Sequence, residues 1–214
     1  NLVGRMRGNA KDKASAMTTA QPPTTASDAV RVLLLPGWLD SGPGHWQTLW
    51  ADSILGAVRV HQDDWITPVR TAWIASIGKT ILEQPGPVVI AAHSLGCIAT
   101  THLPPEVAAK IQGALLVAPA DPERRGILAD FAPVPYQRLP CRSVLVASSN
   151  DPFCPVRTAG AYARAWGSEF VRLQDAGHIN VEAGFGPWPL GLALLQSLGV
   201  AHTAAASSPE SLLI

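Results

Sequence analysis

The sequence predicts an α/β chain with a doubly wound, mostly parallel six-stranded sheet and helices on both faces. Three observations carry that expectation. Six short β-branched or apolar runs recur, several continuously apolar instead of alternating, as strands covered on both faces are. Longer stretches of helical character separate most of them. The roughly 170 residues between two polar ends suffice for one buried core and not for two.

Residues 1–28 are rich in Ala, Thr, Ser and Pro with almost no periodic apolar content, so they are expected to be disordered. Their Arg5, Arg7, Lys11 and Lys13 weakly resemble an organelle-targeting segment, but a simple tail ahead of Met17 explains them better. The folded domain is expected over 29–199, and residues 200–214 read as a second tail. Strands are predicted at "VRVLLLP" (30–36), "VRVHQ" (58–62), "PVVIAAH" (87–93), "GALLVAP" (113–119), "SVLVAS" (143–148) and "EFVRLQD" (169–175). Helical patterns fill 46–54, 68–83, 95–111, 156–166 and 188–198.

Composition removes several classes of function. With 214 residues, 47% hydrophobic content and a formal net charge of +0, the chain has no basic footprint for nucleic acid or an anionic membrane. No apolar run is long enough to span a bilayer and no secretory h-region is visible. Cys97, Cys141 and Cys154 form neither a C-x-x-C pair nor an even set, so a reducing, cytoplasmic setting is expected, without structural disulfides or zinc.

In an open α/β sheet a ligand site lies beyond the carboxyl ends of the strands. After the third strand stands Ala92-His93-Ser94-Leu95-Gly96, close to G-x-S-x-G with Ala in the first position. Such a turn presents a serine hydroxyl above the sheet and needs small residues two before and two after it. A serine that only caps the next helix would be the plainer explanation. After the fifth strand comes Asp151 in "SSNDPFCP", and after the sixth comes His178 in "DAGHIN". Serine, then acid, then histidine, each at a strand end, is the order of a hydrolase triad on an α/β sheet. Taken singly, Asp151 would be a turn residue and His178 a surface histidine; their joint placement argues otherwise.

Asp121 in "VAPADPE" is the runner-up acid, and Asp175 stands too near His178 in sequence to orient it. His61, His102 and His202 compete poorly, and an elbow geometry would point His93 away from the nucleophile. His45, in "GPGHWQTLW", could reach the site in a structural or substrate-side role, and Phe153 is a second candidate on the substrate side. An oxyanion hole needs only backbone N–H groups, one from Leu95 and one from the loop after the first strand at Trp38, with Leu39 as the alternative. Gly37 lets that loop approach. No phosphate loop, H-E-x-x-H or dinucleotide fingerprint is present, so neither a metal nor a cofactor is expected. Trp38, Trp46, Trp65, Phe153, Phe185 and Trp188 gather near strand ends and are expected mainly to pack.

Taken together, "VLLLPGW", "GHWQTLW", "AAHSLG", "APADPE", "ASSNDPFCP" and "DAGHINVEAGFGPWP" resemble the small serine hydrolases typified by retinoblastoma-binding protein 9 and the bacterial YdeN-like proteins, over about residues 30–198. These are a compact branch of the α/β-hydrolase superfamily. The resemblance implies serine-hydrolase activity with Ser94, Asp151 and His178 on the triad positions. Two residues depart from it: Pro36 stands where many α/β hydrolases have His, and Ala92 replaces the first elbow Gly.

The expected activity is therefore cofactor-independent cleavage of a small carboxylic ester, with amides or thioesters second, and no protein partner can be named. A non-catalytic binding or scaffold protein that keeps the fold is the alternative. The connection from Asp121 to Arg142 is interrupted by Pro122, Pro133, Pro135 and Pro140, too broken for a cap domain; its one plausible helical piece is "ERRGILADF".

Overall fold

The computed structural model describes residues 30–200; the predicted disordered segment 1–28 and all of the expected 200–214 tail but Val200, His202 included, lie outside the described residues, and Val200 packs into the core. Six strands, β1 (Arg31–Leu35), β2 (Val58–Arg59), β3 (Val88–His93), β4 (Ile111–Val117), β5 (Arg142–Ser148) and β6 (Glu169–Leu173), form one sheet in the order β2-β1-β3-β4-β5-β6. Every pairing is parallel, so the expectation of a mostly parallel sheet becomes an entirely parallel one.

Successive residues of a strand point to opposite faces, and the two cores divide accordingly. Leu33, Leu35, Ile90, Ala92, Leu116 and Leu145 face one core with Trp73 and Ile77 of α2 (Arg70–Leu82), Ile98 of α3 (Leu95–Thr101) and Tyr162 and Trp166 of α5 (Val156–Trp166). Val32, Leu34, Val89, Ala91, Leu115 and Val144 face the other. There they meet Trp46 and Trp50 of α1 (Trp46–Ser53) and Leu195 of α6 (Pro189–Ser197). Burial on both faces is why these strands read as unbroken apolar runs.

The predicted helix over 95–111 is corrected to two pieces, α3 and the short α4 (Pro105–Ala108), with β4 starting at Ile111 instead of 113. Pro104-Pro105 causes the break, because neither residue has an N–H to continue the ladder of α3. The second strand is shorter than the predicted 58–62, and Val60 adds one further bond, N–H to the Leu34 carbonyl at 2.9 Å. The "ERRGILADF" stretch forms 3-10 turns at Pro122–Arg124 and Gly126–Phe131, not a helix. Phe131 is buried against Trp73, so the connection folds down onto the body of the domain.

Candidate active site

The strand β3 passes directly into α3 through Ser94, whose φ of 53° and ψ of −117° lie in a region that a side chain occupies only at a cost. Its hydroxyl makes no capping bond to α3. Two glycines make the turn possible. A Cβ on Gly96 would come within 2.4 Å of the Leu35 carbonyl oxygen, and one on Gly37 within 2.6 Å of the Ser94 Cβ. The loop after β1 is thus pressed against the elbow, with the Leu95 amide also in reach of Gly37. Leu39 spends its N–H on the Trp65 carbonyl at 3.0 Å, which removes it as an oxyanion donor. Among the described residues, neither the Trp38 nor the Leu95 amide donates to a partner.

Ser94, His178, Trp38, His45, His93 and Phe153 share a pocket of about 370 Å³ at the carboxyl ends of the strands. His178 is buried, and its Nδ1 stands 2.9 and 3.0 Å from the two carboxylate oxygens of Asp151. Asp151 also accepts the Phe153 N–H at 2.8 Å, which fixes the carboxylate on its own turn. The runner-up Asp121 is buried nearby, but no hydrogen bond joins it to His178. Asp175 takes the Ser149 hydroxyl instead. Ser94 and His178 face one pocket without a direct hydrogen bond between their side chains, a spacing that catalytic pairs often show before substrate binds.

The loop carrying His178 has φ of 54° at Gly177 and 49° at Ile179, and side chains from other elements hold it. Ser148 accepts the Ala176 N–H at 2.9 Å and Asn150 the Gly177 N–H at 2.8 Å. On the other side, Trp46 Nε1 donates to the Ile179 carbonyl at 3.0 Å and His93 Nε2 donates to the His178 carbonyl at 2.9 Å. His93 is therefore a correction: its ring centroid lies 4.7 Å from that of His178, in the site instead of turned from it. A sequence cannot show this, since a residue flanking the elbow has no periodic signature. The "GHWQ" run carried a signal that aromatic clustering alone hid. Gln47, next to Trp46, donates to the carbonyls of Leu35 and Ala91 and so locks the ends of β1 and β3 together.

His45 caps α1, its Nδ1 accepting the Gln47 N–H at 3.1 Å. Burial, then the nearby Arg59 and His178, push its pKa down to about 4, and burial pushes His93 well below the ordinary histidine range. Both rings are neutral at pH 7. Phe153 stacks on His178 at 4.2 Å between centroids, and the Arg125 guanidinium lies 3.9 Å over the Phe153 ring. Phe153 thus forms one wall for the imidazole as well as part of the pocket. His61 pairs with Trp65 and His102 with the Phe131 carbonyl, away from the pocket. Cys97 and Cys154 are buried thiols whose pKa values burial raises, so thiolate chemistry is suppressed in both. Among the described residues no group of three His, Cys, Asp or Glu side chains is arranged to hold a metal ion, and no helix is long and apolar enough to cross a membrane.

Comparison with known proteins gives the same picture. The profile of the family described as serine hydrolase matches residues 32–197. A crystal structure described as a YdeN-like hydrolase from Pectobacterium atrosepticum is 34% identical, with a TM-score of 0.72 over 79% of this chain and 92% of that one. The ydeN gene product of Bacillus subtilis is 21% identical, with a TM-score of 0.62 over 79% of this chain and 98% of that one. A thermophilic esterase from Thermogutta terrifontis shares the fold at 16% identity and a TM-score of 0.58, covering 80% of this chain and 90% of that one. No curated protein matches the chain.

Proposed function

Because this chain belongs to the serine hydrolase family, we propose that it cleaves small carboxylic esters through an acyl-enzyme built on Ser94, His178 and Asp151. The observation that carries the reading is the pairing of His178 Nδ1 with both oxygens of Asp151 in the pocket that Ser94 enters from a strained turn. Asp151 holds the proton on Nδ1, which leaves Nε2 free to take the Ser94 proton as the hydroxyl attacks the carbonyl. The imidazolium then delivers that proton to the leaving alcohol, and a water repeats the sequence to free the acid. Negative charge on the tetrahedral oxygen rests on the amides of Leu95 and Trp38, both unspent in the fold. Amides and thioesters share the chemistry and rank second to esters.

A fluorophosphonate probe with peptide mapping tests the reading. Label is expected on Ser94 alone, and Ser94→Ala should lose both labelling and esterase activity while keeping its circular dichroism spectrum and melting temperature. Label on another residue, or a folded Ser94→Ala protein that still turns over, overturns the assignment; an unlabelled wild type favours a binding role for the fold.

A further inference from the structure

We propose that His45 is a substrate-binding group whose Nε2–H donates to a neutral oxygen acceptor, an ether, hydroxyl or carbonyl oxygen, on the acyl or alcohol portion of the ester. The inference rests on the serine-hydrolase reading and adds a class of substrate to it.

His45 is 4% exposed and forms part of the pocket wall. Its Nδ1 accepts the Gln47 N–H, so the ring proton sits on Nε2. That Nε2 is buried and has no hydrogen-bond partner among the described residues. Several neighbouring polar groups are already engaged elsewhere. The Ser41 hydroxyl donates to Gln47 Oε1, Gln47 Nε2 serves the Leu35 and Ala91 carbonyls, and Thr48 Oγ1 donates to the carbonyls of Ser41 and Gly42. His93, whose ring lies 4.8 Å away, has its own Nε2 committed to His178. A helix cap alone needs only an acceptor, which an Asp carboxylate supplies without bringing any donor into the interior. Buried donors are ordinarily paired, and one left alone in a pocket wall invites an acceptor from the ligand. A site of this kind also rejects analogues that lack the acceptor. The acceptor is neutral because the same wall carries the Glu182 carboxylate, while the Asp40 carboxylate is paired with Arg59; His45 itself is uncharged at pH 7.

Two ester pairs, each exchanging one CH₂ for an ether oxygen, read the interaction. An aryl butyrate against an aryl methoxyacetate probes the acyl side, and butyl acetate against 2-methoxyethyl acetate the alcohol side. Each kcat/KM is divided by the hydroxide-catalysed rate of the same ester, which removes intrinsic reactivity. Wild type should favour the ether ester by about tenfold in one pair, and the responding pair identifies the portion that His45 contacts. His45→Asn keeps a capping acceptor and loses the distant donor, so the preference should fall at least fivefold. His45→Gln places an amide N–H near the Nε2 position and should restore part of it. Wild type with no preference in either pair, or an undiminished preference in His45→Asn, overturns the inference; the wild-type result stands alone if either variant fails to fold. Fluorophosphonate labelling of Ser94 in the same preparations separates this outcome from failure of the hydrolase reading, which would leave wild type unlabelled.

Discussion

His93 Nε2 lies 2.9 Å from the main-chain carbonyl oxygen of His178, so the residue before the elbow serine holds the backbone of the histidine that shares its pocket. A carbonyl can only accept, which fixes the proton of His93 on Nε2. Burial keeps that ring neutral, and its bond spans the gap between β3 and the loop after β6. Distance between Ser94 and His178 is thereby set by one hydrogen bond from the elbow itself, with Trp46 making a parallel bond one residue on.

His93→Phe keeps a ring in place and removes the donor. Turnover is expected to drop by roughly 10- to 100-fold with KM little changed, the scale on which a small misplacement of a catalytic group acts. His93→Gln, which retains a donor near the same point, should recover part of the loss. Steady-state kinetics and melting curves on the three proteins check this; equal kcat in folded wild type and His93→Phe would show that the bond is not needed for positioning.

Asp151→Asn should fold normally and lose turnover by as much as about 10⁴, the cost of the analogous change in a serine-protease triad, where the imidazole is held in the wrong tautomer. Asp121→Asn should lose less than tenfold, because its side chain has no bond to His178. Rates for the two variants against one aryl ester decide it, and the reverse ranking would move the acid to Asp121.

The sheet was legible in the sequence because burial on both faces leaves a long apolar signal, as at Val88–Ala92, whereas the helix over 95–111 failed where Pro104-Pro105 removed its hydrogen bonds. Ser94, Asp151 and His178 stood out because each directly follows a strand or closes the loop behind it. The supports of the site did not. His93 and Trp46 act on the carbonyls of His178 and Ile179 respectively, more than eighty residues away in sequence, and no local pattern records such a contact. Nor does a sequence show that the Leu39 amide is spent on Trp65 while that of Trp38 is not.

Acid should weaken the fold through His45. Its folded pKa of about 4 lies below the ordinary histidine value of 6.5, so the unfolded chain binds the extra proton between those values. Stability from the neutral ring is complete above about pH 6.5 and is lost as pH falls toward 4, on the order of 3 kcal/mol in all. His93, shifted in the same direction, adds to the slope. Urea midpoints measured from pH 7 to pH 4 should fall steeply in wild type and less steeply in His45→Asn. Parallel slopes in the two proteins would assign the acid sensitivity to other groups.

Acyl-chain preference follows from the path of the Asp121–Arg142 connection. Larger hydrolases enclose long chains beneath a cap, but here that connection forms two 3-10 turns whose Leu128 lines the pocket and whose Phe131 is buried in the core. The apolar residues at the mouth, Leu39 and Val181, are 57% and 48% exposed, so they border the pocket without roofing it. An acyl chain finds contact for its first few carbons within about 370 Å³ and then runs into solvent. Each CH₂ that is buried contributes about 0.8 kcal/mol, near fourfold in kcat/KM, and each one left in water contributes nothing. Specificity should therefore rise from acetate toward butyrate and flatten soon after, with laurate and palmitate esters no better than butyrate and no jump in rate when substrate forms an interface. Aryl esters from two to sixteen carbons, compared below their micelle concentrations and then followed across them, give both comparisons directly. A climb of several-fold per CH₂ sustained to twelve carbons would require an apolar tunnel, and the walls formed by Trp38, Leu128 and Phe153 would have to open to make one.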